Sequence, residues 1–143
     1  MLVKLLPDQV LREWKVIKHA IMNSTYEQIF STDDKVRDHL REILLGTMHV
    51  WAVLDAQEQL VAVGTTRFSH DLTMGVRRLE IYSLYGFKEF TLEQWAECFV
   101  SLQRFAKAQN CSYIIALSDQ ERIIQMAQKV GGDSSQRLLV FNV

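Results

Sequence analysis

The fold of this chain is decided by HVWAVLDAQEQLVAVGTTRF, residues 49 to 68, and by the residues around it. Strand-forming residues fill both ends of this stretch, and Asp55 to Gln59 between them are polar enough for a hairpin loop. A second loop, His70 to Val76, precedes a third strand-forming run from Arg77 to Tyr85. Three strands joined by short connections predict an antiparallel meander.

The residues after the meander predict a helix, a strand, a helix and a last strand. Thr91 and Gln94 match the capping-box pattern, in which each side chain binds the other residue's backbone amide at the start of a helix. Cys111 to Leu117 predicts a buried strand, a short helix runs from about Gln120 to Val130, and Leu138 to Val143 predicts the last strand. Because a strand, a helix and a strand in succession favour a parallel crossover, the sheet is predicted to be mixed.

The residues before the meander predict one strand and two helices. Leu2 to Leu6 predicts a short strand, and a helix capped by Asp8 follows it and ends at Asn23-Ser-Thr25. A second helix runs from just after Ser31 to Gly46, a residue type that is common after a last helical turn. Helical spacing predicts the apolar faces Val10, Trp14, Ile17 and Ile21, then Val36, Leu40, Ile43 and Leu44. The order β-α-α-β-β-β-α-β-α-β predicts an α/β (α+β) fold with a mixed central sheet, in one domain over all 143 residues.

Composition and charge limit the classes of function. A formal net charge of -1 gives no overall field that would attract nucleic acid. The longest apolar runs, such as Tyr113 to Leu117, are far too short to span a membrane. Neither Cys98 and Cys111 nor the four scattered histidines have metal-ligand spacing, so no metal site is predicted. We therefore expect a reduced, cytoplasmic protein that binds neither membranes nor nucleic acid.

Several stretches resemble the GNAT superfamily of N-acetyltransferases, and the resemblance covers essentially the whole chain. Val50 to Val53 followed by Leu60 to Gly64 resembles the family's central hairpin, and Leu79 to Tyr85 lies where its fourth strand runs. Asn110 to Leu117 resembles the fifth strand, and Lys129 to Gly132 is similar to the Lys-x-Gly-Phe that ends the family's last helix. In overall texture the chain also resembles GNAT-like proteins encoded by phages.

The resemblance implies an acetyl-CoA site where the fourth and fifth strands splay apart. Family members hold the pyrophosphate on amides at the start of the next helix, usually within Arg/Gln-x-x-Gly-x-Gly/Ala, because a helix N-terminus offers free amides and the positive end of the dipole. The matching stretch, Gly86 to Thr91, lacks the Gly-x-Gly, and Glu89 beside Lys88 disfavours an anion. The implied cofactor-binding residues are Tyr82, Ser83, Leu84, Gly86, Phe87, Lys88 and Ser118.

Two residues are candidates for catalysis if the protein is an acetyltransferase. Glu80 could act as the general base towards an amine, and Tyr85 offers a hydroxyl beside the implied site. An ion pair between Glu80 and Arg78 is the competing interpretation, and packing in the sheet is the competing interpretation for Tyr85. Many family members protonate the leaving thiolate with a tyrosine of the last helix, but aligning the closing Lys-x-Gly puts Ala127 there, which cannot donate a proton.

Two functions stay open at this level. In the first, a GNAT-like domain has lost acetyl-CoA-dependent catalysis and serves as a binding or structural protein, with another protein or itself as partner, and is virion-associated if phage-encoded. In the second, it is an active acyl-CoA-dependent N-acetyltransferase with an atypical pyrophosphate loop and acetyl-CoA as cofactor. An enzyme needs free amides between Gly86 and Thr91, whereas a scaffold buries Phe87 and Phe90 across the mouth of the site.

Overall fold

The computed structural model describes residues 1–24, 33–136, 139 and 141. Its elements are β1 (Leu2–Lys4), α1 (Pro7–Arg12), α2 (Trp14–Asn23), α3 (Asp33–Leu44), β2 (Met48–Leu54), β3 (Leu60–Asp71), β4 (Val76–Gly86), α4 (Leu92–Ala108), β5 (Tyr113–Ala116) and α5 (Glu121–Lys129). The predicted last strand, Leu138 to Val143, lies for the most part outside the described residues. Up to that point the predicted succession of strands and helices is confirmed, with one predicted helix divided in two.

The division falls within the helix that the sequence predicts from Asp8. Glu13 has φ -97° and ψ 13°, which separates α1 from α2, yet its carbonyl still accepts from the Ile17 amide at 3.1 Å. The junction is therefore a kink within a continuing hydrogen-bond ladder. The prediction that Asp8 caps this helix is wrong, because the helix already begins at Pro7. A proline is well suited to a first helical position, where its fixed φ is already helical and its missing amide would have no helical partner.

The described strands form one mixed sheet in the order β1-β2-β3-β4-β5. Neighbours from β1 to β4 are antiparallel, which confirms the predicted meander, and β4 runs parallel to β5. The crossover through α4 accounts for the parallel pair. None of the described helices is both long and apolar enough to cross a bilayer.

β4 has different neighbours along its length. Its parallel pairing with β5 ends where Ile81 faces Ala116, whereas its antiparallel pairing with β3 continues to Gly86. Between Ile81 and Ser83 the register with β3 shifts, so Tyr82 is the extra residue of a β-bulge. In the described part of the chain, the end of β4 from Tyr82 to Gly86 therefore has a paired strand on one side only.

Helices cover both faces of the sheet. The first three helices pack on one face, through a buried cluster made of Val10, Ile17, Ala20, Ile21, Ile43, Met48, Val50 and Val63. α4 covers the other face, through two clusters made of Trp51, Val53, Val61, Ala62, Leu79, Cys98, Leu102 and Ala106. Val10, Ile17, Ile21 and Ile43 of the predicted apolar faces are in the first cluster, and Trp14 and Leu40 are partly buried beside it. The prediction is wrong for Leu44, which is 43% exposed in the last turn of α3. α5 contributes no fully buried side chain.

Candidate functional site

We call residues Gly86 to Thr91 the β4–α4 segment; it follows the end of β4 and leads into α4. The amides of Phe87 and Lys88 both donate to the carbonyl of Val61, at 2.8 and 3.3 Å. The predicted capping box is present, since the Thr91 amide donates to Gln94 Oε1 at 2.9 Å and the Gln94 amide donates to Thr91 Oγ1 at 3.1 Å. Three amides of the β4–α4 segment are thus already bound within the protein.

Other amides in the same place are not bound. Within the described residues, the amides of Glu89, Phe90, Leu92 and Glu93 have no protein acceptor. They lie at the start of α4, where the positive end of the helix dipole attracts an anion. Glu89 and Glu93 place their exposed carboxylates at that same end. The start of α4 therefore offers both free amide donors and negative charge that competes with an anion.

Lys88, the predicted phosphate ligand, is held by a loop on the other side of the segment. Its Nζ lies 3.4 Å from Oδ2 of Asp55, in the β2–β3 hairpin loop. The amides of Gln59 and Gln57 donate to the same carboxylate at 2.9 and 3.0 Å. These hydrogen bonds and Lys88 hold the pKa of Asp55 below its usual value. To bind Lys88, a phosphate would have to displace the carboxylate of Asp55, which stays ionised at neutral pH.

A second cation, Arg122, reaches the segment from α5. Its Nη1 lies 3.6 Å from Oε1 of Glu89, and its Nη2 donates to the Phe90 carbonyl at 3.5 Å. These contacts bridge the gap that opens between β4 and β5 beyond Ile81. Arg122 was not predicted from the sequence, because no spacing or motif connects a first-turn residue of α5 with Glu89. The signal that the sequence did offer was a basic residue in a first helical turn, where the helix dipole favours an acidic one.

The phenylalanines of the segment differ in burial. Phe87 is 40% exposed, and its ring lies 5.0 Å from that of Tyr85 and 6.3 Å from that of His19. Phe90 is half-buried and packs 5.6 Å from the ring of Trp95. A scaffold was expected to bury both rings across the mouth of the site. Phe90 is only partly buried, and Phe87 is exposed, so this expectation is met in part by Phe90 and not by Phe87. Tyr85, a candidate catalytic residue, packs its ring edge-on between its two aromatic neighbours.

Glu80, the candidate general base, is buried in an ion pair. It is 8% exposed, and its two oxygens lie 3.0 and 3.4 Å from the Nε and Nη2 atoms of Arg67. The guanidinium also lies 4.7 Å from the ring centre of Tyr82. Both carboxylate oxygens of Glu80 are thus engaged, which leaves a poor acceptor for a substrate proton in this arrangement.

The predicted pairing of Glu80 with Arg78 is wrong. The antiparallel register places Arg67 directly opposite Glu80 and Ser69 opposite Arg78. Arg78 accordingly donates to Ser69 Oγ at 2.9 Å and lies 3.7 Å from Asp71, which also accepts a hydrogen bond from a tyrosine hydroxyl of β5. Arg78 therefore holds the far end of the β3–β4 hairpin.

The remaining predicted cofactor-binding residues do not converge on one surface. Tyr82 lies towards the first three helices, 5.3 Å from a histidine ring of α3, whereas Leu84 lies towards α4. The buried Ser83 hydroxyl is 2.6 Å from that of Thr65. Gly86 leaves little room for a side chain, since a Cβ there would lie 3.2 Å from the Lys88 carbonyl oxygen. The hydroxyl of Ser118 accepts from the Gln120 amide at 3.2 Å, at the start of α5. The other two predicted cofactor-binding residues, Phe87 and Lys88, are described above.

A cavity of about 50 Å³ lies between the sheet and α4, and its walls are almost entirely apolar. Its lining includes Ile81, Leu84 and Phe90, which place it beneath the end of β4, and also Gly64 and Cys98. It is much smaller than the roughly 150 Å³ cavity that accepts benzene. A nucleotide cofactor therefore does not fit there, and the space is a gap in the packing.

No protein-family model and no curated protein matches this chain. Solved structures do match it, over its whole length. A transcriptional regulator from Bacillus halodurans superposes with a TM-score of 0.74 at 14% identity, covering 100% of this chain and 99% of that one. An aminoglycoside 6'-N-acetyltransferase from Acinetobacter baumannii gives 0.72 at 11% identity, covering 100% and 97%. An aminoglycoside N-acetyltransferase in complex with CoA gives 0.72 at 13% identity, covering 100% and 93%. The chain therefore has the GNAT fold, as the resemblance implied.

Proposed function

We propose that this GNAT-fold protein does not use acetyl-CoA and that it serves as a binding or structural module. The observation that carries the proposal is the pairing of charge around the β4–α4 segment. Lys88 pairs with Asp55 and Arg122 pairs with Glu89, so both cations that the described residues bring to this segment already have a carboxylate of the chain itself. An anionic cofactor would have to separate both pairs.

The carboxylates at the start of α4 oppose a pyrophosphate directly. Glu89 precedes the helix, and Glu93 lies in its first turn. Two like unit charges about 5 Å apart repel by roughly 1 kcal/mol in bulk water and by more where solvent is excluded. A pyrophosphate carries two negative charges beside two carboxylates, so several such repulsions act together. They oppose the attraction of the helix dipole, which is typically about 0.3–1 kcal/mol at an exposed site.

The position of the expected acid supports the same proposal. Ala127, at the place where many family members have a tyrosine, is exposed near the end of α5. The chain folds back tightly here: the Gly132 amide donates to the Ala127 carbonyl at 2.8 Å, and a Cβ at Gly132 would lie only 2.9 Å from that oxygen. The side chain of Ala127 has no proton to give to a leaving thiolate.

A second candidate function is an active N-acetyltransferase with acetyl-CoA as cofactor. It is favoured by the four unbound amides at the start of α4 and by the single-sided pairing of β4 from Tyr82 to Gly86. In this function the backbone of Tyr82 to Leu84 guides the pantetheine, and Lys88 leaves Asp55 for a phosphate. Because Arg67 engages Glu80, an ordered water would take the proton from the amine.

Calorimetric titration with acetyl-CoA tests the two candidates against each other. The proposal expects no heat, and no rise in unfolding temperature, at millimolar acetyl-CoA. Micromolar binding that a Lys88→Glu substitution weakens would contradict the proposal and support the acetyltransferase. Titration with CoA-free buffer corrects for the heat of dilution. The far-UV circular dichroism spectrum of the variant shows whether it is folded.

A binding or structural role needs a partner, for which we propose another protein or a second copy of the chain. A place in a phage particle follows only if the chain is phage-encoded, and a cytoplasmic location is the expectation otherwise. Detection of the protein in purified particles, at a fixed number of copies per particle, tests the first location. Its absence from washed particles would remove that part of the proposal.

A further inference from the structure

We propose that the outer face of α4 binds the same face of a second copy of the chain, with the two helices antiparallel. Five exposed residues form this face, at spacings of four, three, four and three along the helix: Glu93, Glu97, Val100, Arg104 and Lys107. At 3.6 residues per turn they fall within an arc of about 80°. The buried side chains of α4 lie on the other side of the helix, against the sheet. The inference rests on the proposed function, a binding or structural module, and names its partner.

The charges of this outer face are divided between its two halves. Glu93 and Glu97 precede Val100, which is 43% exposed. Arg104 and Lys107 follow it. Among the residues that the structure describes, Glu93, Arg104 and Lys107 form no ion pair. Glu97 lies 3.7 Å from the N-terminal ammonium, and both groups are more than half exposed. The outer face therefore carries an acidic half and a basic half whose charges are largely uncompensated within the described part of the chain.

The helix dipole explains only the outer two of these charges. Glu93 lies in the first turn of α4 and Lys107 in the last, where the dipole favours an acid and a base respectively. Glu97 lies in the second turn and Arg104 before the last turn, and the dipole effect fades beyond the terminal turns. Within the helix each charge has a like charge three or four residues away, which is unfavourable. The inner two charges therefore give a single copy of α4 little stability.

An antiparallel second copy would bring the acidic and basic halves together. With Val100 opposite Val100 of the second copy, Glu93 faces Lys107, since both lie seven residues, or about 10 Å, from the centre. Glu97 lies three residues before the centre and Arg104 four residues after it, so they face each other to within about 1.5 Å along the axis. Two-fold symmetry repeats each contact, which gives four pairs of opposite charge around an apolar centre. The outer face is thus complementary to itself, as a symmetric dimer requires.

The size of the outer face sets the expected strength of the dimer. A helix of 17 residues is about 25 Å long, and five residues are far fewer than the roughly 20–30 that each partner contributes to a standard interface. The largest apolar side chain on the face is Val100, and each exposed ion pair contributes little. We therefore expect a weak dimer, with a dissociation constant on the order of 100 µM, that weakens further as salt screens the charges.

The experiment measures the mass of the full chain in solution by sedimentation equilibrium, at low and at high salt. Protein concentrations reach about 1 mM, where a dimer of the expected strength is populated. The samples are the wild type, Glu97→Arg, Arg104→Glu and an equimolar mixture of these two variants. Lys15→Glu is the matched control, because Lys15 is exposed on α2, on the other face of the sheet. Its substitution changes the net charge as much as Arg104→Glu does.

We expect the wild type to form dimers at low salt. The dissociation constant should rise about tenfold or more in each single variant, because the substitution places like charges opposite each other twice in the dimer. In the mixture, a dimer of one variant with the other has opposite charges in both contacts, so it should form within about threefold of the wild-type affinity. This recovery also shows that both variants are folded. Lys15→Glu should form dimers as the wild type does.

Other results would overturn the α4 contact in different ways. A wild type that stays monomeric at about 1 mM would show that a second copy is not the partner. Dimers that persist in either single variant would place the interface elsewhere on the chain. A mixture that stays monomeric, or an equal loss in Lys15→Glu, would show that the charges do not act across the two helices. Binding of acetyl-CoA by the wild type would contradict the proposed function instead, and would leave the dimer standing.

Discussion

The two ends of β4 differ in how firmly the rest of the protein holds them. From Val76 to Ile81 the strand is flanked by β3 and reached by β5, and its polar side chains make short contacts, such as that of Glu80 with Arg67 at 3.0 Å. From Tyr82 to Gly86 it is paired on one side, and the segment beyond is held by exposed ion pairs of 3.4 and 3.6 Å. The first end builds the fold, whereas in the segment beyond the second end a change of contacts costs little.

The largest expected effect is a dependence of stability on pH, and it arises beside the firmly held end of β4, Val76 to Ile81. His49 lies in the same row of the sheet as Ile81 and is 6% exposed; burial, followed by the positive charge of Lys4, lowers its pKa to about 4. The neutral form is favoured in the folded protein, so this contribution to stability is present above pH 6.5, the ordinary value, and is lost as the pH falls through about 4. The full loss is on the order of 3 kcal/mol, and about 2 kcal/mol is lost between pH 7 and pH 5.

Urea unfolding at pH 7 and pH 5 measures this loss, with His49→Phe as the comparison. The variant keeps an aromatic ring beside Phe68 and Phe105 but has nothing to titrate. It should show a smaller loss of stability between the two pH values than the wild type. An equal loss in both proteins would show that other groups cause the acid sensitivity.

The next largest effect is a difference in the free energy of unfolding between substitutions of Glu80 and of Glu89. Glu80→Ala removes a buried partner of Arg67 and should lower the free energy of unfolding by about 2 kcal/mol, since Arg67 itself is partly solvated. Glu89→Ala removes a partner from an exposed pair and should change it by less than about 0.5 kcal/mol. Paired urea titrations give both values. Similar values for the two substitutions would erase the proposed difference between the two ends of β4.

A smaller effect, an increase in the free energy of unfolding, is expected from filling the cavity beneath the second end of β4, Tyr82 to Gly86. The cavity of about 50 Å³ lies beside Cys98, and Leu is a good helix former that adds two carbon-sized groups there. Filling a void of this size should raise the free energy of unfolding by about 1 kcal/mol. The midpoint of urea unfolding of Cys98→Leu measures the change. A decrease would show that the neighbouring side chains already close the space, so that leucine overpacks it.

The sequence predicted the parts of the fold that depend on local pattern. Two runs of strand-forming residues around a short polar loop predicted the β2–β3 hairpin, and Thr91 with Gln94 predicted the start of α4, because these signals lie within a few residues of each other. The pairing of Glu80 with Arg67 was missed, since it depends on which residues face each other across two strands. Spacing along the chain favoured Arg78 instead, and only the register, which runs unbroken from the β3–β4 turn to the pair of Arg67 and Glu80, decides between the two arginines.

The candidate site was predicted less completely than the fold. The absence of Gly-x-Gly and the alanine at position 127 are visible in the sequence, and both bear on function. The contacts of Lys88 with Asp55 and of Arg122 with Glu89 are not visible there, because each joins residues brought together only by the folded sheet. The resemblance pointed to the segment from Gly86 to Thr91, but not to the charges that surround it.

The proposed loss of acetyl-CoA binding depends on two ion pairs, in which Asp55 pairs with Lys88 and Glu89 pairs with Arg122. The most direct test is the affinity of the wild-type protein for acetyl-CoA at low and at physiological ionic strength, because salt screens both the attraction of Lys88 and Arg122 and the repulsion of Glu89 and Glu93. We expect no heat and no rise in unfolding temperature at millimolar acetyl-CoA in either condition. Micromolar binding under these conditions would contradict the proposed loss of binding, and the acetyltransferase would then become the better description of this protein.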